Sequence, residues 1–259
     1  MEYHPGFDIE LTKDPLGFSH GADVMAPPLE LRRLDDVRAT LRDPEASGPD
    51  VLYAIAMDIG PAVDRPRQVD QNILFGACAY AGGTVGEEPV RSQGHVHAVS
   101  ASCGTSTGEL YEFWEGVGIV YMQEFVADDP GRCFAVRAEP GQKVLVPPGW
   151  AHCTVNADPS RPMAFGAWCV RDYGFDYADL RARRGLAWYP VLEGGELRWL
   201  PNEHYRHSSA LVEKAPRDLA EFGVDGAEPI HRQWQQRPHD FDFIPRPRMD
   251  DPRWQSFVP

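Results

Sequence analysis

The stretch Pro140–Asn156 reads PGQKVLVPPGWAHCTVN and places two short apolar runs, Lys143–Val146 and Cys153–Asn156, on either side of a Pro-Pro-Gly turn. Short β-prone runs bounded by glycine and proline are typical of strands in a sandwich or barrel. The same pattern extends outward in both directions, from residue 51 to about residue 171. The other predicted strands are Val51–Ile59, Asn72–Tyr80, Glu109–Trp114, Gly118–Val126, Cys133–Ala138 and Pro162–Val170.

Composition narrows the classes of function. The chain has 24 Gly and 24 Pro in 259 residues, which favours many turns and disfavours a helical bundle. The net charge of −14 disfavours nucleic-acid binding and attachment to an anionic membrane, because both need a basic surface. No signal peptide or membrane-spanning run is visible, and the five scattered cysteines are typical of reduced thiols. We therefore expect a cytoplasmic protein.

Three parts are predicted along the chain. Residues 1–45 form an N-terminal arm with an amphipathic helix at 29–43, where leucines recur near helical spacing. Residues 46–204 form the barrel, which ends with a short helix and a hairpin (Tyr177–Arg184, Ala187–Leu192 and Glu196–Leu200). Residues 205–259 form a proline-rich C-terminal extension, predicted to be extended. Its isolated aromatic residues are too apolar for a solvated tail, so we expect it to pack on the barrel or on a second subunit.

Four side chains in this pattern can carry metal chemistry. Alternation along a strand puts His95 and His97 on one face, and Glu109 begins the next strand. His152 lies within the Pro140–Asn156 stretch, on an adjacent predicted strand. Three imidazoles and one carboxylate suit a divalent first-row metal such as iron, manganese, nickel or zinc. The remaining histidines have no partner at ligand spacing and are predicted to be surface or packing residues.

These motifs resemble those of the cupin superfamily, and in particular the cupin-type phosphoglucose isomerases. The resemblance is carried by Gly94–His97 (GHVH), Glu109–Gly116 (ELYEFWEG) and Pro140–Asn156, and it covers about residues 30–202. It implies an all-β fold, a jelly-roll-like cupin β-barrel with a few short peripheral helices. It also implies a homodimer with one divalent metal held by His95, His97, Glu109 and His152.

The implied reaction is the interconversion of aldose and ketose 6-phosphates through a metal-stabilised enediolate, a step of glycolysis and gluconeogenesis. Glu109 is then a ligand, a proton shuttle or both, and Tyr111 either donates to a substrate hydroxyl or packs the barrel. Tyr177 matches a tyrosine of the family's pocket and is expected to be catalytic, together with Glu109 and Tyr111. The family binds phosphate through a hydroxyl residue and a backbone amide, which match Ser92 and Gly94. Arg91 and Arg171 are either further phosphate ligands or solvated surface arginines.

Three positions depart from the family pattern. Phe175 replaces a histidine, Cys169 a tyrosine and Cys78 a threonine, and all three are expected in the substrate pocket. The loop between His97 and Glu109 is longer than in short family members and is either a mobile rim or a surface insertion. An isomerase or epimerase acting on a modified or unphosphorylated sugar therefore stays open. An iron-dependent cupin dioxygenase and a non-catalytic sugar-binding cupin also stay open.

Overall fold

The computed structural model describes residues 1–207 and 209–259, which are built mainly from short strands. The strands are β1 (Ile9–Lys13), β2 (Leu16–His20), β3 (Val24–Met25), β4 (Glu30–Arg33), β5 (Val51–Met57), β6 (Gly60–Pro61), β7 (Ile73–Tyr80), β8 (Thr84–Val85), β9 (Glu88–Pro89), β10 (Val96–His97), β11 (Glu109–Glu115), β12 (Gly118–Gln123), β13 (Cys133–Ala138), β14 (Lys143–Val146), β15 (Ala151–Asn156), β16 (Met163–Val170), β17 (Phe175–Asp176), β18 (Trp188–Glu193), β19 (Glu196–Pro201) and β20 (Leu211–Lys214). The α-helices are α1 (Leu34–Val37), α2 (Arg65–Gln71), α3 (Ala178–Ala182), α4 (Ile230–Gln236) and α5 (Pro252–Gln255). Single 3₁₀ turns occupy Arg38–Thr40, Ala62–Asp64, Ala220–Phe222 and Pro238–Phe241.

Two sheets form the barrel. The larger has the order β14-β11-β16-β7-β5-β4, and the smaller has the order β15-β12-β13-β20. Neighbouring strands are antiparallel except for the parallel pair β13–β20. Apolar side chains from the facing surfaces of both sheets, among them Phe113, Val120 and Phe165, form one buried core. This is the cupin β-barrel expected from the sequence.

Both outer faces of the barrel are covered. The hairpin β18–β19 packs over the smaller sheet, with Tyr121 and Trp199 in contact. The N-terminal arm and residues 219–257 pack over the larger sheet, where Trp168, Trp234 and Phe257 are fully buried. In the described part of the chain, no helix is long and apolar enough to cross a membrane.

Two sequence expectations about secondary structure are wrong. Residues 29–43 do not form one amphipathic helix, because Glu30–Arg33 pairs with β5 as an edge strand, and only the short helix α1 and one 3₁₀ turn follow it. Edge pairing prevails over the helical spacing of the leucines, and Leu31 is 41% exposed rather than buried. The C-terminal extension is not an extended tail, because it contains the short helices α4 and α5 and two 3₁₀ turns. These elements carry the buried residues Phe222, Trp234, Phe241 and Trp254.

A buried carboxylate joins this extension to the barrel. Glu112 lies on the outer face of β11, is completely buried, and accepts hydrogen bonds from the Ile230 backbone amide (2.9 Å) and Trp114 Nε1 (3.1 Å). Lys143 Nζ lies 3.5 Å away and donates to the Gly141 and Gly226 carbonyls. Burial raises the pKa of Glu112 to about 7, although the nearby Lys143 opposes that shift.

This carboxylate should be visible in the pH dependence of stability. Between the unfolded value of 4.5 and the folded value of about 7, the folded state holds the extra proton, so Glu112 lowers stability as pH rises. We expect wild type to lose about 2 kcal/mol more than Glu112→Gln between pH 5 and 7 in urea-unfolding measurements. The exposed Glu139→Gln serves as the control and should follow wild type. An unchanged slope in Glu112→Gln would contradict this account.

Candidate metal centre

A pair of backbone hydrogen bonds places His95 and His152 side by side. The His95 amide donates to the His152 carbonyl and the His152 amide donates to the His95 carbonyl, both at 3.0 Å. Residues paired in this way across antiparallel strands present their side chains on the same face. The two imidazole rings therefore meet inside the barrel, with centroids 4.4 Å apart.

His97 and Glu109 complete the cluster. His97 follows His95 by two residues and presents its ring to the same face, 5.2 Å from the rings of both His95 and His152. Glu109, the first residue of β11, places Oε2 3.2 Å from His97 Nε2 and 3.4 Å from His152 Nε2. One ligand atom from each of the four side chains lies within 4.8 Å of the others.

Backbone carbonyls orient two of the imidazoles. His97 Nδ1 hydrogen-bonds the Thr107 carbonyl at 2.9 Å, and His152 Nδ1 hydrogen-bonds the Trp150 carbonyl at 3.1 Å. A carbonyl partner requires the proton on Nδ1, which leaves the Nε2 lone pair directed into the cluster. Carbonyl partners of this kind are usual around metal-bound histidines.

The cluster suits a divalent cation. Within the described residues, the buried Nε2 atoms of His95 and His97 make no hydrogen bond, although buried polar atoms are normally satisfied. Three imidazole nitrogens and one carboxylate oxygen form a mixed donor set that accepts several first-row ions. The residues present therefore fit a divalent metal, and the donor set does not select one ion.

Local electrostatics favour the ligand forms of these residues. Burial and the neighbouring His152 and His97 lower the pKa of His95 and keep its imidazole neutral. Burial alone would raise the pKa of Glu109, but the close imidazoles of His152 and His97 prevail and lower it. A neutral imidazole and an ionised carboxylate are the forms that bind metal ions.

A small, partly open cavity of about 70 Å³ lies against the cluster. Its wall includes Ser92, Cys78, Phe175 and Tyr177, which the sequence placed in the pocket. The Phe175 ring lies 4.3 Å from the His95 ring, so an apolar surface stands beside the ligands. Because small-molecule sites usually span about 300–1,000 Å³, a hexose phosphate requires these walls to move apart.

Tyr111 takes a role that the sequence did not single out. Its hydroxyl donates to Glu109 Oε2 at 2.7 Å, so it neither simply packs the barrel nor keeps its hydrogen for a substrate. Within the described residues, the hydrogen bonds of this carboxylate are all at Oε2, and Oε1 makes none.

Several other expected pocket residues lie elsewhere. The backbone of Gly94 is left-handed (φ +83°), and a Cβ there would come within 3.0–3.2 Å of Leu186, Leu180 and the His152 carbonyl. This position therefore requires glycine, but it is not part of the cavity wall. Cys169 is buried and is likewise absent from the wall.

Neither arginine proposed as a phosphate ligand is free, and neither is a solvated surface arginine. Arg91 is buried and donates to Glu88 at 2.7 Å and to the Thr40 carbonyl. Arg171 forms two bonds of 2.7 Å with Asp58. Both guanidiniums are already neutralised by carboxylates.

The long loop after His97 is anchored rather than free. Ser106 Oγ donates to the His97 carbonyl at 2.7 Å and accepts from the Gly149 amide. Ser100 Oγ and the Ser102 amide both donate to Asp172 at 2.9 Å. The loop thus helps to hold the chain around His97.

Sequence reasoning missed part of the cavity wall. Glu30, Arg32, Tyr53, Tyr80 and Tyr173 all line it. Glu30 and Arg32 were hidden because their segment was predicted to be a helix. Their separation by two residues, beside Tyr53 on a clear strand, is the signal that could have placed them on one face.

Two facing sheets with three histidines and one glutamate inside define the chain as a cupin with a candidate site for a divalent metal. A family model described as "Glucose-6-phosphate isomerase (GPI)" matches residues 31–207, and the chain belongs to this family.

Relatives named glucose-6-phosphate isomerase support this membership. The protein from Pyrococcus furiosus is 32% identical over 182 residues, covering 68% of this chain and 87% of that protein. The protein from Thermococcus onnurineus is 29% identical, covering 80% of this chain and 100% of its own length. About a fifth of the present chain therefore lies outside that match.

Solved structures show weaker likenesses. Oxalate oxidase is 15% identical with a TM-score of 0.35, covering 48% of this chain and 53% of that one. Vicilin from Corylus avellana is 10% identical with a TM-score of 0.36, covering 50% of this chain and 33% of that one. Scores this low carry no argument about the site.

Removing one ligand tests the metal centre. We expect His152→Ala to retain less than about one tenth of the wild-type divalent metal, because a mixed four-ligand site loses an imidazole that the backbone has already oriented. Metal per chain is measured by mass spectrometry after dialysis against a weak chelator. The exposed His239→Ala is the matched control. Full metal retention in His152→Ala would show that these four residues do not form the site.

Proposed function

We propose that this protein is a metal-dependent isomerase that interconverts glucose 6-phosphate and fructose 6-phosphate. The observation that carries the proposal is the cluster of His95, His97, Glu109 and His152 beside a small cavity, in a chain of the glucose-6-phosphate isomerase family. We further propose that these four residues bind one iron, manganese, nickel or zinc ion, and that the protein is a cytoplasmic homodimer.

The reaction moves a proton between C1 and C2 of the sugar while the carbonyl and hydroxyl groups exchange. A divalent ion in the cluster supplies a Lewis acid that polarises the substrate oxygens and stabilises negative charge as the proton leaves. The protein must hold the substrate, exclude water and carry the proton. We assign the first two functions to the aromatic-rich cavity wall, which has to move apart to admit the substrate.

We assign the proton transfer to Glu109. Its Oε2 atom is occupied by Tyr111, His97 and His152, whereas Oε1 has no partner in the described residues. This division supports one oxygen for the metal and one for the substrate proton. Tyr111 fixes the rotation of the carboxylate through its 2.7 Å bond, which keeps the two oxygens distinct.

Ser92 and Tyr177 are proposed to contact the sugar phosphate. Ser92 Oγ accepts from the Thr154 amide at 3.1 Å, and its hydroxyl can in addition donate to an anionic ligand. The backbone amide of Gly94 is proposed as a further donor to the phosphate, although Gly94 lies outside the cavity wall. This amide makes no hydrogen bond in residues 1–207 and 209–259.

Two residues of the cavity wall favour a second class of substrate, a modified or unphosphorylated sugar. Phe175 places an aromatic ring 4.3 Å from His95 at a position where the family has a histidine, and Cys78 lines the same wall. Both residues make the pocket less polar. An isomerase or epimerase that acts on a modified or unphosphorylated sugar is therefore the alternative.

A coupled assay distinguishes these alternatives. We expect the metal-loaded protein to convert fructose 6-phosphate to glucose 6-phosphate, with equal rates in air and under argon. Loss of activity without oxygen would indicate a dioxygenase. Inactivity with all four metals would exclude the glucose 6-phosphate assignment, and a panel of unphosphorylated sugars would then test the alternative.

The role of Glu109 has its own test. We expect Glu109→Gln to lower kcat by at least about 100-fold while keeping most of its metal, because the amide still offers an oxygen but cannot accept the proton. The matched control is Glu115→Gln, at the far end of the same strand. Full turnover by Glu109→Gln would refute the assigned role, and parallel loss of metal and rate would limit Glu109 to metal binding.

A further inference from the structure

The guanidinium of Arg32 lies in the cavity wall and has no role in the reaction proposed above. Arg32 lies on the edge strand β4, opposite Tyr53 of β5, and its side chain is 25% exposed. Among the described cavity-lining residues it is the only lysine or arginine. A protein with a net charge of −14 offers no long-range attraction to a phosphorylated sugar, so a local cation is needed.

Arg32 forms an ion pair with Glu30 that a phosphate group could replace. Its Nη2 atom donates to Glu30 Oε2 at 2.9 Å, and the Glu30 side chain is 46% exposed. An exposed pair of this kind contributes little net stability. A phosphate carries more charge than a carboxylate and presents three acceptor oxygens, which suits the planar fork of arginine.

Neutral donors stand beside this guanidinium. The phenol rings of Tyr53 and Tyr177 line the same wall as Arg32. Burial raises the pKa of both tyrosines, so both hydroxyls keep the hydrogen that an anion accepts. Arg181 lies 5.1 Å from the Tyr177 ring and adds a second positive charge behind it.

We propose that Arg32 binds the phosphate group of the substrate and that its hydrogen bond to Glu30 breaks when it does so. Glu30 then weakens phosphate binding, because it competes for the same guanidinium. The proposal rests on the proposed function, since it names the residue that selects a phosphorylated sugar. It also explains how the pocket can hold a phosphate although Arg91 and Arg171 are both bound to other carboxylates.

Three variants and one control test this assignment. Arg32→Gln removes the charge, Arg32→Lys keeps the charge without the fork, and Glu30→Gln removes the competitor. Arg33→Gln is the matched control, because Arg33 is the next residue on β4 but pairs with Asp50 outside the cavity. Circular dichroism and metal content establish that each variant is folded and loaded.

The first readout is steady-state kinetics with fructose 6-phosphate. We expect Arg32→Gln to raise KM about 10- to 100-fold, the loss usual for a hydrogen bond to a charged group, with kcat within about threefold. Arg32→Lys should fall between wild type and Arg32→Gln, and Glu30→Gln should lower KM several-fold. Arg33→Gln should match wild type. An unchanged KM in Arg32→Gln would overturn the proposal.

The second readout needs no turnover. Binding of inorganic phosphate, measured by calorimetry, should weaken about tenfold or more in Arg32→Gln and strengthen in Glu30→Gln. Equal weakening in both variants would mean that the pair is only structural, and no phosphate binding by wild type would also overturn the proposal. Arg32-dependent phosphate binding without isomerase activity would refute the proposed reaction but keep this site.

Discussion

Two hydrogen bonds between the backbones of His95 and His152 are the constraint on which the site depends. They join the segment before β10 to β15 of the smaller sheet, and they fix which residues face one another. A slip of one residue would turn the side chains of the slipped segment to the opposite face and separate the two imidazoles, because neighbouring residues in a strand point to opposite faces. With this register set, His97 and the first residue of β11 need only follow the alternation to arrive beside them.

The inner half of the site is predictable because period-two alternation and turn residues are local signals. The predicted strands Cys133–Ala138 and Lys143–Val146 match the structure to the residue, and Glu109 begins its strand as expected. Within this frame, two histidines separated by one residue must share a face. The resemblance to the phosphoglucose isomerases then supplied the reaction, which residue types alone left open.

Other features depend on contacts between distant parts of the chain, which local patterns do not encode. Glu30–Arg33 has helix-like leucine spacing but forms a strand because the edge of β5 is available to it. Glu112 resembles an ordinary solvent-facing residue of β11, yet it is buried because Ile230, more than a hundred residues later, donates to it. Arg91 and Arg171 look free in the sequence, and only the fold shows their carboxylate partners.

Strand β11 carries a different constraint on each of its faces. Its inner face holds Glu109 and Tyr111, and its outer face holds Glu112 under the C-terminal extension. The extension therefore cannot be deleted as an independent appendage, since its removal would expose Trp114 and leave Glu112 and Lys143 without the cover that they share. An engineer who wished to shorten this chain toward the length of its relatives from Thermococcus and Pyrococcus would have to redesign the back of the strand that bears Glu109.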